Sequence, residues 1–292
     1  YTIKAEALVD PIIEKVNENT ALGALVPDGE STYATTLVIS GTASAGRQLQ
    51  VLKNGAVIDT ITVSVTGTFS YTHADATLGA RSYTVRGIYG NSPVSSPYNL
   101  TRVNPLSFGS NRTLATSNYH VAQNRPPANP NSTATYTQVA AGGTPPYSYS
   151  SSNTGVAVID GNGRVRAVGN GQAVMTVEDS KRMRASHTVS VSGVVIYYHA
   201  ASWGAQIMNN AAAMAQSLGG RLPSRAELHA LHATYRPEGQ PDVVLGWMRT
   251  HPFWTYEGYP LVNHFWTVYF GNSQESFAHS WQGPSAVAVR LN

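Results

Sequence analysis

The stretch SLGGRLPSRAEL, residues Ser217 to Leu228, sets two glycines, an arginine and a proline between two segments of helical periodicity. Ahead of it, Trp203, Ile207, Ala211, Met214 and Leu218 recur at spacings of four, four, three and four, the stripe of an amphipathic helix that Ser202 is placed to cap. Gly219-Gly220 supplies the positive φ at which such a helix stops. Beyond it, Ser224 and Glu227 stand in the Ser-x-x-Glu relation of a capping box, and Leu228, Leu231 and Tyr235 share one face of a second helix. The stretch is a helix stop, a link and a helix start, so chain geometry explains its residues without a catalytic role.

Upstream of this stretch, VVIYYHA from Val194 has strand character, and the composition changes there. All five tryptophans, 15 of the 27 aromatic residues and six of the nine histidines lie between residues 194 and 292. That third is expected to hold a core of its own. Upstream the period is two. TTLVISGTA, QLQVLKNGAVIDTITV and GTFSYTHA alternate apolar and polar residues, and Asn54-Gly55 sits where a type I′ hairpin turn needs positive φ. Short strands with a turn signal about every ten residues predict a β-sandwich over residues 10–103. A second such module is expected over 104–193. There VAVI and VRAV are joined by Asp160-Gly161-Asn162-Gly163, and Gly169-Asn170-Gly171 turns into AVMTV. Residues 1–9 are taken as the end of a preceding immunoglobulin-like module or as a linker, the former because YTIKA at Tyr1 echoes YTVRG at Tyr83.

Composition closes several function classes. The chain has no cysteine, which removes disulfide scaffolds, thiolate zinc sites and thiol nucleophiles. The net charge of +3 divides as −1 over residues 1–103, +4 over 104–193 and zero over 194–292. Nucleic acid is therefore not an expected partner, since backbone binding needs a concentrated basic face. The one dense basic run, Lys181 to Arg184, fits an exposed hairpin turn. GNGRVR lacks the third glycine and the following helix of a phosphate-binding loop. No apolar run approaches the roughly 18 residues of a membrane helix, and no signal peptide opens the chain. No GxSxG, HExxH, P-loop or close carboxylate pair is present, so no catalytic residues are assigned and no enzyme is expected.

Three resemblances follow from these residues. ALVPDGESTYATTLVISGTAS with VLKNG and GTFSY resembles the immunoglobulin-like modules of bacterial surface proteins, and YSYSSSNTGVAVIDGNGRVRAVGNGQAVMTVEDS with SHTVSVSG resembles the bacterial group 2 immunoglobulin-like domain. A tryptophan ahead of a helix, then GGRLPS and EL, later Trp- and Tyr-rich strands and a closing VAVRL strand look like the C-type lectin-like domain at the tip of intimin- and invasin-type adhesins. The resemblance implies a mainly β multidomain chain, two immunoglobulin-like sandwiches in tandem followed by an α+β C-type lectin-like domain. It further implies an outer-membrane adhesin of the inverse autotransporter kind, displayed on the bacterial surface and touching a membrane only through a barrel that would precede residue 1. The expected partner is a host-cell surface or extracellular-matrix protein, with a glycan as the alternative. The chain departs from those tip domains in lacking their disulfide, whose place aromatic packing is expected to take.

Within the last third, RPEGQPDVVLGWMRTHPFWTYEGYPLVNHFW sets aromatics and arginine among loop-forming Gly and Pro, the residue types that dominate binding hot spots. Asp242, Arg249, Trp254, Tyr256 and Tyr259 are the candidate contacts. Gln240-Pro241-Asp242 matches the tripeptide of calcium-dependent lectins, but the domain holds a single Asp and four Glu, too few for the six to eight oxygens calcium takes. His229 and His232, at i and i+3, are a weak zinc pair lacking a third ligand at a telling spacing. No metal and no cofactor is assigned.

Overall fold

The computed structural model describes residues 8–281 and 287–291. The expectation placed on Tyr1 and the YTIKA echo lies outside the described residues. The chain forms two compact units, one running up to residue 106 together with 141–145, the other comprising 107–140 and 146 onward.

The first unit packs two sheets face to face. Strands β1 (Ile12–Glu18), β2 (Ser31–Thr32), β3 (Thr36–Thr42), β4 (Gln48–Lys53), β5 (Ala56–Thr62), β6 (Thr68–Ala74), β7 (Gly79–Gly87) and β8 (Tyr98–Arg102) form sheets of order β1-β3-β6 and β2-β8-β7-β4-β5. The alternation in sequence becomes the core: Leu37 and Ile39 of β3 meet Leu49 and Val51 of β4 and Tyr83 and Val85 of β7. Asn54 and Gly55 have φ of 48° and 82°, the two positive values that the β4–β5 hairpin requires.

The second unit opens with β9 (Arg112–Ala122), β10 (Thr135–Thr137), β11 (Ser148–Ser151), β12 (Ala157–Ile159), β13 (Arg164–Ala167), β14 (Gly171–Glu178) and β15 (Arg184–Tyr198). Lys181 to Arg184 lie in and just past the β14–β15 turn. After β15 come α1 (Met208–Ser217), β16 (Gly220–Arg221), α2 (Arg225–Tyr235), α3 (Pro241–Leu245), β17 (Phe253–Gly258), β18 (His264–Val268), β19 (Glu275–His279) and β20 (Val289–Leu291). β10, β13 and β12 make one sheet, and a larger one runs β11-β14-β15-β20-β16 with β9 parallel to β15. β15 is the spine of the unit. Its first half pairs with β14, and its end pairs Tyr197 and Tyr198 with Arg290 and Val289 of β20. The change of composition at Val194 therefore falls inside a continuous strand. Tyr235 of α2 seals the joint: its hydroxyl accepts from the Ala122 amide at 2.9 Å and donates to the Arg125 carbonyl, while the Arg125 guanidinium donates to the Leu245 carbonyl at 2.7 Å.

The first helix begins later than its apolar stripe predicts. Gly204 has φ of 61°, so Ala201–Trp203 closes as a single 3-10 turn and α1 starts at Met208. Its end is as expected, with Gly219 at φ 72°. Gly220 serves a different purpose: a Cβ there would lie 2.4 Å from the Arg290 carbonyl oxygen, so the residue is small to admit β16 beside β20. The second helix starts as predicted. Ser224 Oγ accepts from the Glu227 amide at 3.1 Å, and Glu227 Oε2 accepts from the Ser224 amide at 2.8 Å. Leu228, Leu231 and Tyr235 are buried against Trp247, Phe253 and Phe270. Ser224→Ala is expected to cost about 1 kcal/mol in denaturant unfolding, the usual worth of an N-cap; no change in midpoint would show the box to be idle.

Four histidines of this unit are held neutral by burial. His120, with Nδ1 2.7 Å from the Tyr197 hydroxyl, His187, His199 and His232 all have their pKa pushed below the ordinary value of 6.5, in each case chiefly by loss of solvent. The unfolded chain takes up protons at these sites before the folded one does. Their contribution to stability is therefore complete above about pH 6.5 and declines as pH falls below it. The melting temperature is expected to drop between pH 7.5 and 5, before carboxylates titrate; a constant value over that range would contradict this.

Candidate functional site

β17, β18 and β19 form a small antiparallel sheet, order β17-β18-β19. In the β18–β19 register His264 opposes His279, Trp266 opposes Phe277 and Val268 opposes Glu275. The period of two then separates two faces. Phe265 and Ala278 pack inward on the cluster of Met208, Ala211, Ala215, Leu222, Trp254, Val287 and Val289.

On the other face the aromatics are in mutual contact near solvent. Tyr259 stacks on Phe277 with centroids 4.2 Å apart and planes 14° from parallel, and meets Trp266 edge-on at 4.7 Å. Phe277 is 45% exposed. His264 adjoins Phe277 at 5.7 Å and His279 at 5.0 Å. From α2, Arg225 lies 4.3 Å over the Trp266 ring and pairs with Glu257 at 2.5 Å and Glu275 at 3.1 Å. Arg221 lies 5.0 Å over Tyr256, itself 50% exposed, and binds Glu227 through both nitrogens at 2.8 and 2.7 Å. Each arginine is thus fixed by carboxylates before any partner arrives, which lowers the ordering cost of a contact. His229 and Arg225 together hold the Glu275 carboxyl below its ordinary pKa.

The five sequence candidates separate. Tyr259 belongs to this stack, and Tyr256 is exposed beneath Arg221. Trp254 lies apart from both: its ring is fully buried and its Nε1 donates to the Gln206 carbonyl at 2.7 Å. It faces inward because β17 presents it to the core cluster, so it offers nothing to a partner. Asp242 is only 3% exposed and sits in the first turn of α3, where Oδ1 accepts from the Val243 amide at 2.9 Å and Oδ2 faces Arg249 at 3.3 Å. Asp242 is thereby committed to its own turn. The Arg249 side chain is exposed and, with Gln240, His251 and Asn272, borders a cleft of about 130 Å³ beside Asp242.

The two helical histidines diverge. His229 contacts Ser273 Oγ through Nδ1 and Glu275 Oε1 through Nε2 at 2.8 Å, whereas His232 lies edge-on against Phe270 at 6.0 Å. Ser273, His229 and Glu275 stand in the order of a hydrolytic triad. The amides beside that hydroxyl are already engaged, Ser273 with the Tyr269 carbonyl and Gln274 with Asn272 Oδ1, so neither is free to bind an oxyanion. The network pins α2 to the β18–β19 turn. Arg225, Trp266, Phe277 and His279 were not among the sequence candidates. For Trp266, Phe277 and His279 the signal was the alternation in HFWTV and ESFAH, which places them on one face once the register is known; Arg225, on α2, left no such signal.

The fold is mainly β, immunoglobulin-like modules followed by an α+β C-type lectin-like domain. Residues 133–181 match the family of the intimin immunoglobulin-like domain. Across 97% of this chain and 100% of the other, the fold is similar to the C-terminal 282-residue fragment of intimin solved with the intimin-binding domain of the translocated intimin receptor, at a TM-score of 0.52 and 12% identity. The Yersinia pseudotuberculosis adhesin InvE covers 96% of each chain at 15% identity and a TM-score of 0.34. Invasin, described as a bacterial integrin-binding protein, covers 95% of this chain and 59% of its own at 10% identity and 0.39. The likeness is one of fold, and it rests on the intimin fragment. No curated protein matches the chain.

Proposed function

We propose that the chain is the binding part of a surface-displayed bacterial adhesin, in which the C-type lectin-like domain engages a host-cell or extracellular-matrix protein and the immunoglobulin-like modules act as spacer. It works by passive docking, without turnover. The supporting observation is the exposed face of β17–β19, where Tyr259, Trp266 and Phe277 are stacked with Arg225 clamped above them. Such surfaces carry binding because rigid aromatic side chains bury area with few rotors lost. The likeness in fold and module order to the intimin fragment agrees with this reading. Membrane anchoring, on this proposal, belongs to a barrel outside the sequence.

A glycan is the second reading, favoured by the same aromatic stack, since a sugar ring packs on such a platform. Beads coated with the full chain separate the two on epithelial cells. Attachment that disappears after brief protease treatment of the cells and survives glycosidases supports the protein partner. Attachment abolished by glycosidases alone would replace it with a glycan. Because the last third of the chain is neutral, raising salt to about 0.5 M is expected to leave most of the attachment intact.

A further inference from the structure

The outer edge of β19 has a self-complementary sequence. β19 pairs with β18 on one side, and among the described residues no strand pairs with its other side. The parity of that edge follows from the ladder. Tyr269 donates to the Gln274 carbonyl and Ser280 to the Asn263 carbonyl, both at 2.8 Å, so the main chain of even-numbered residues 274 to 280 is turned toward β18. Hydrogen-bonding direction alternates along a strand. The amides and carbonyls of Glu275, Phe277 and His279 consequently point outward.

Proteins keep strand edges apart with very short strands, charged side chains, lysine above all, proline or a bulge. β19 reads Glu-Ser-Phe-Ala-His, with no lysine, proline or register shift against β18, and its one carboxylate, Glu275, is already paired with Arg225 and His229. Set antiparallel to a second copy of itself about Phe277, it places Phe277 against Phe277 and Glu275 against His279 at both ends. Those are the three residues whose main-chain groups point outward and meet no strand among the described residues, so hydrogen-bonding parity and side-chain complementarity select the same register. An acid opposite an imidazole is compatible at neutral pH and attractive once the imidazole is protonated. The geometry points to a second copy of this chain as an occupant of the β19 edge, in an isologous antiparallel pair with its two-fold axis at Phe277. The pair is small, short of a standard interface of about 800 Å² per partner, so it forms weakly in solution and gains strength where many copies stand on one surface. It joins copies of the chain to each other through the β19 edge, sharing Phe277 with the face proposed to meet a host partner, and linking measured without cells reads it apart from that partner.

The absence of cysteine makes the register directly testable. Hydrogen-bonded antiparallel pairs hold Cα atoms about 5.5 Å apart, inside the disulfide range. In the full chain, Phe277→Cys is expected to form a disulfide-linked dimer under mild oxidation at least about ten-fold faster than Ser276→Cys or His279→Cys alone. A mixture of Glu275→Cys and His279→Cys chains is expected to give the mixed dimer faster than either gives its own. This second arm does not depend on the Phe277 variant folding. Linking by Phe277→Cys no faster than by Ser276→Cys, or like-with-like linking of Glu275→Cys and His279→Cys matching the mixture, would overturn the proposal. The latter result would mean a parallel or unspecific contact.

Discussion

Gly193→Val is expected to destabilise the second unit by more than about 3 kcal/mol, through left-handed strain and backbone collision together. Gly193 has φ of 79°, and a Cβ there would lie 1.8 Å from the Thr116 carbonyl oxygen. The collision is with main chain, so no side-chain rotation relieves it. The residue also marks a register change. β15 and β9 pair as Ser192 with Ala115, then as Val194 with Tyr119, so one residue of β15, Gly193, stands opposite three of β9 and the extra residues bulge from β9. Because β15 serves both the immunoglobulin-like sheet and the lectin-like half, the loss should reach both. Tryptophan fluorescence reports the lectin-like half, which holds all five tryptophans, and proton resonances of the buried His187, 2.6 Å from the Tyr136 hydroxyl, report the other. The two probes are expected to shift together in urea. An unchanged midpoint, or a shift in one probe only, would show that the strand does not couple the halves.

Trp254→Ala is expected to cost about 3–5 kcal/mol, the range for deleting a large buried aromatic. The ring is fully enclosed, and its removal also leaves the Gln206 carbonyl without its donor. Trp254→Phe should recover part of the loss by refilling the cavity without restoring the hydrogen bond. Binding by either variant should fall only in proportion to the fraction unfolded. A folded Trp254→Ala protein with unaltered melting and lost binding would make Trp254 a contact residue after all.

The local elements were legible where backbone chemistry leaves a mark in the sequence. The Ser224–Glu227 box, the Gly219 stop and the Asn54-Gly55 hairpin each follow from a requirement that few residue types meet. The start of α1 was misread because apolar spacing carried the stripe back to Trp203, while a single glycine at 204 was enough to interrupt it. β16 was invisible, two residues whose only signature is a glycine needed for close approach. The site was half legible. Exposed tyrosines could be guessed from their loop surroundings, but Trp254 and Asp242 carry the same residue chemistry as the proposed contacts and differ only in the direction they face. That direction is set by pairing with β18 in one case and by the first turn of α3 in the other. Phe277 and Arg225 lie 52 positions apart in sequence, and only tertiary structure shows that they serve one surface.

On the proposed function, the exposed aromatic face of β17–β19 makes the contact. The most direct measurement is adhesion of the full chain to its target cells with Tyr259 and Phe277 both changed to serine. Binding is expected to fall at least about 100-fold, the loss of two hot-spot side chains, while circular dichroism keeps its native form and the melting temperature falls only slightly. Binding retained at the wild-type level by this folded variant would contradict the claim and move the contact elsewhere on the chain.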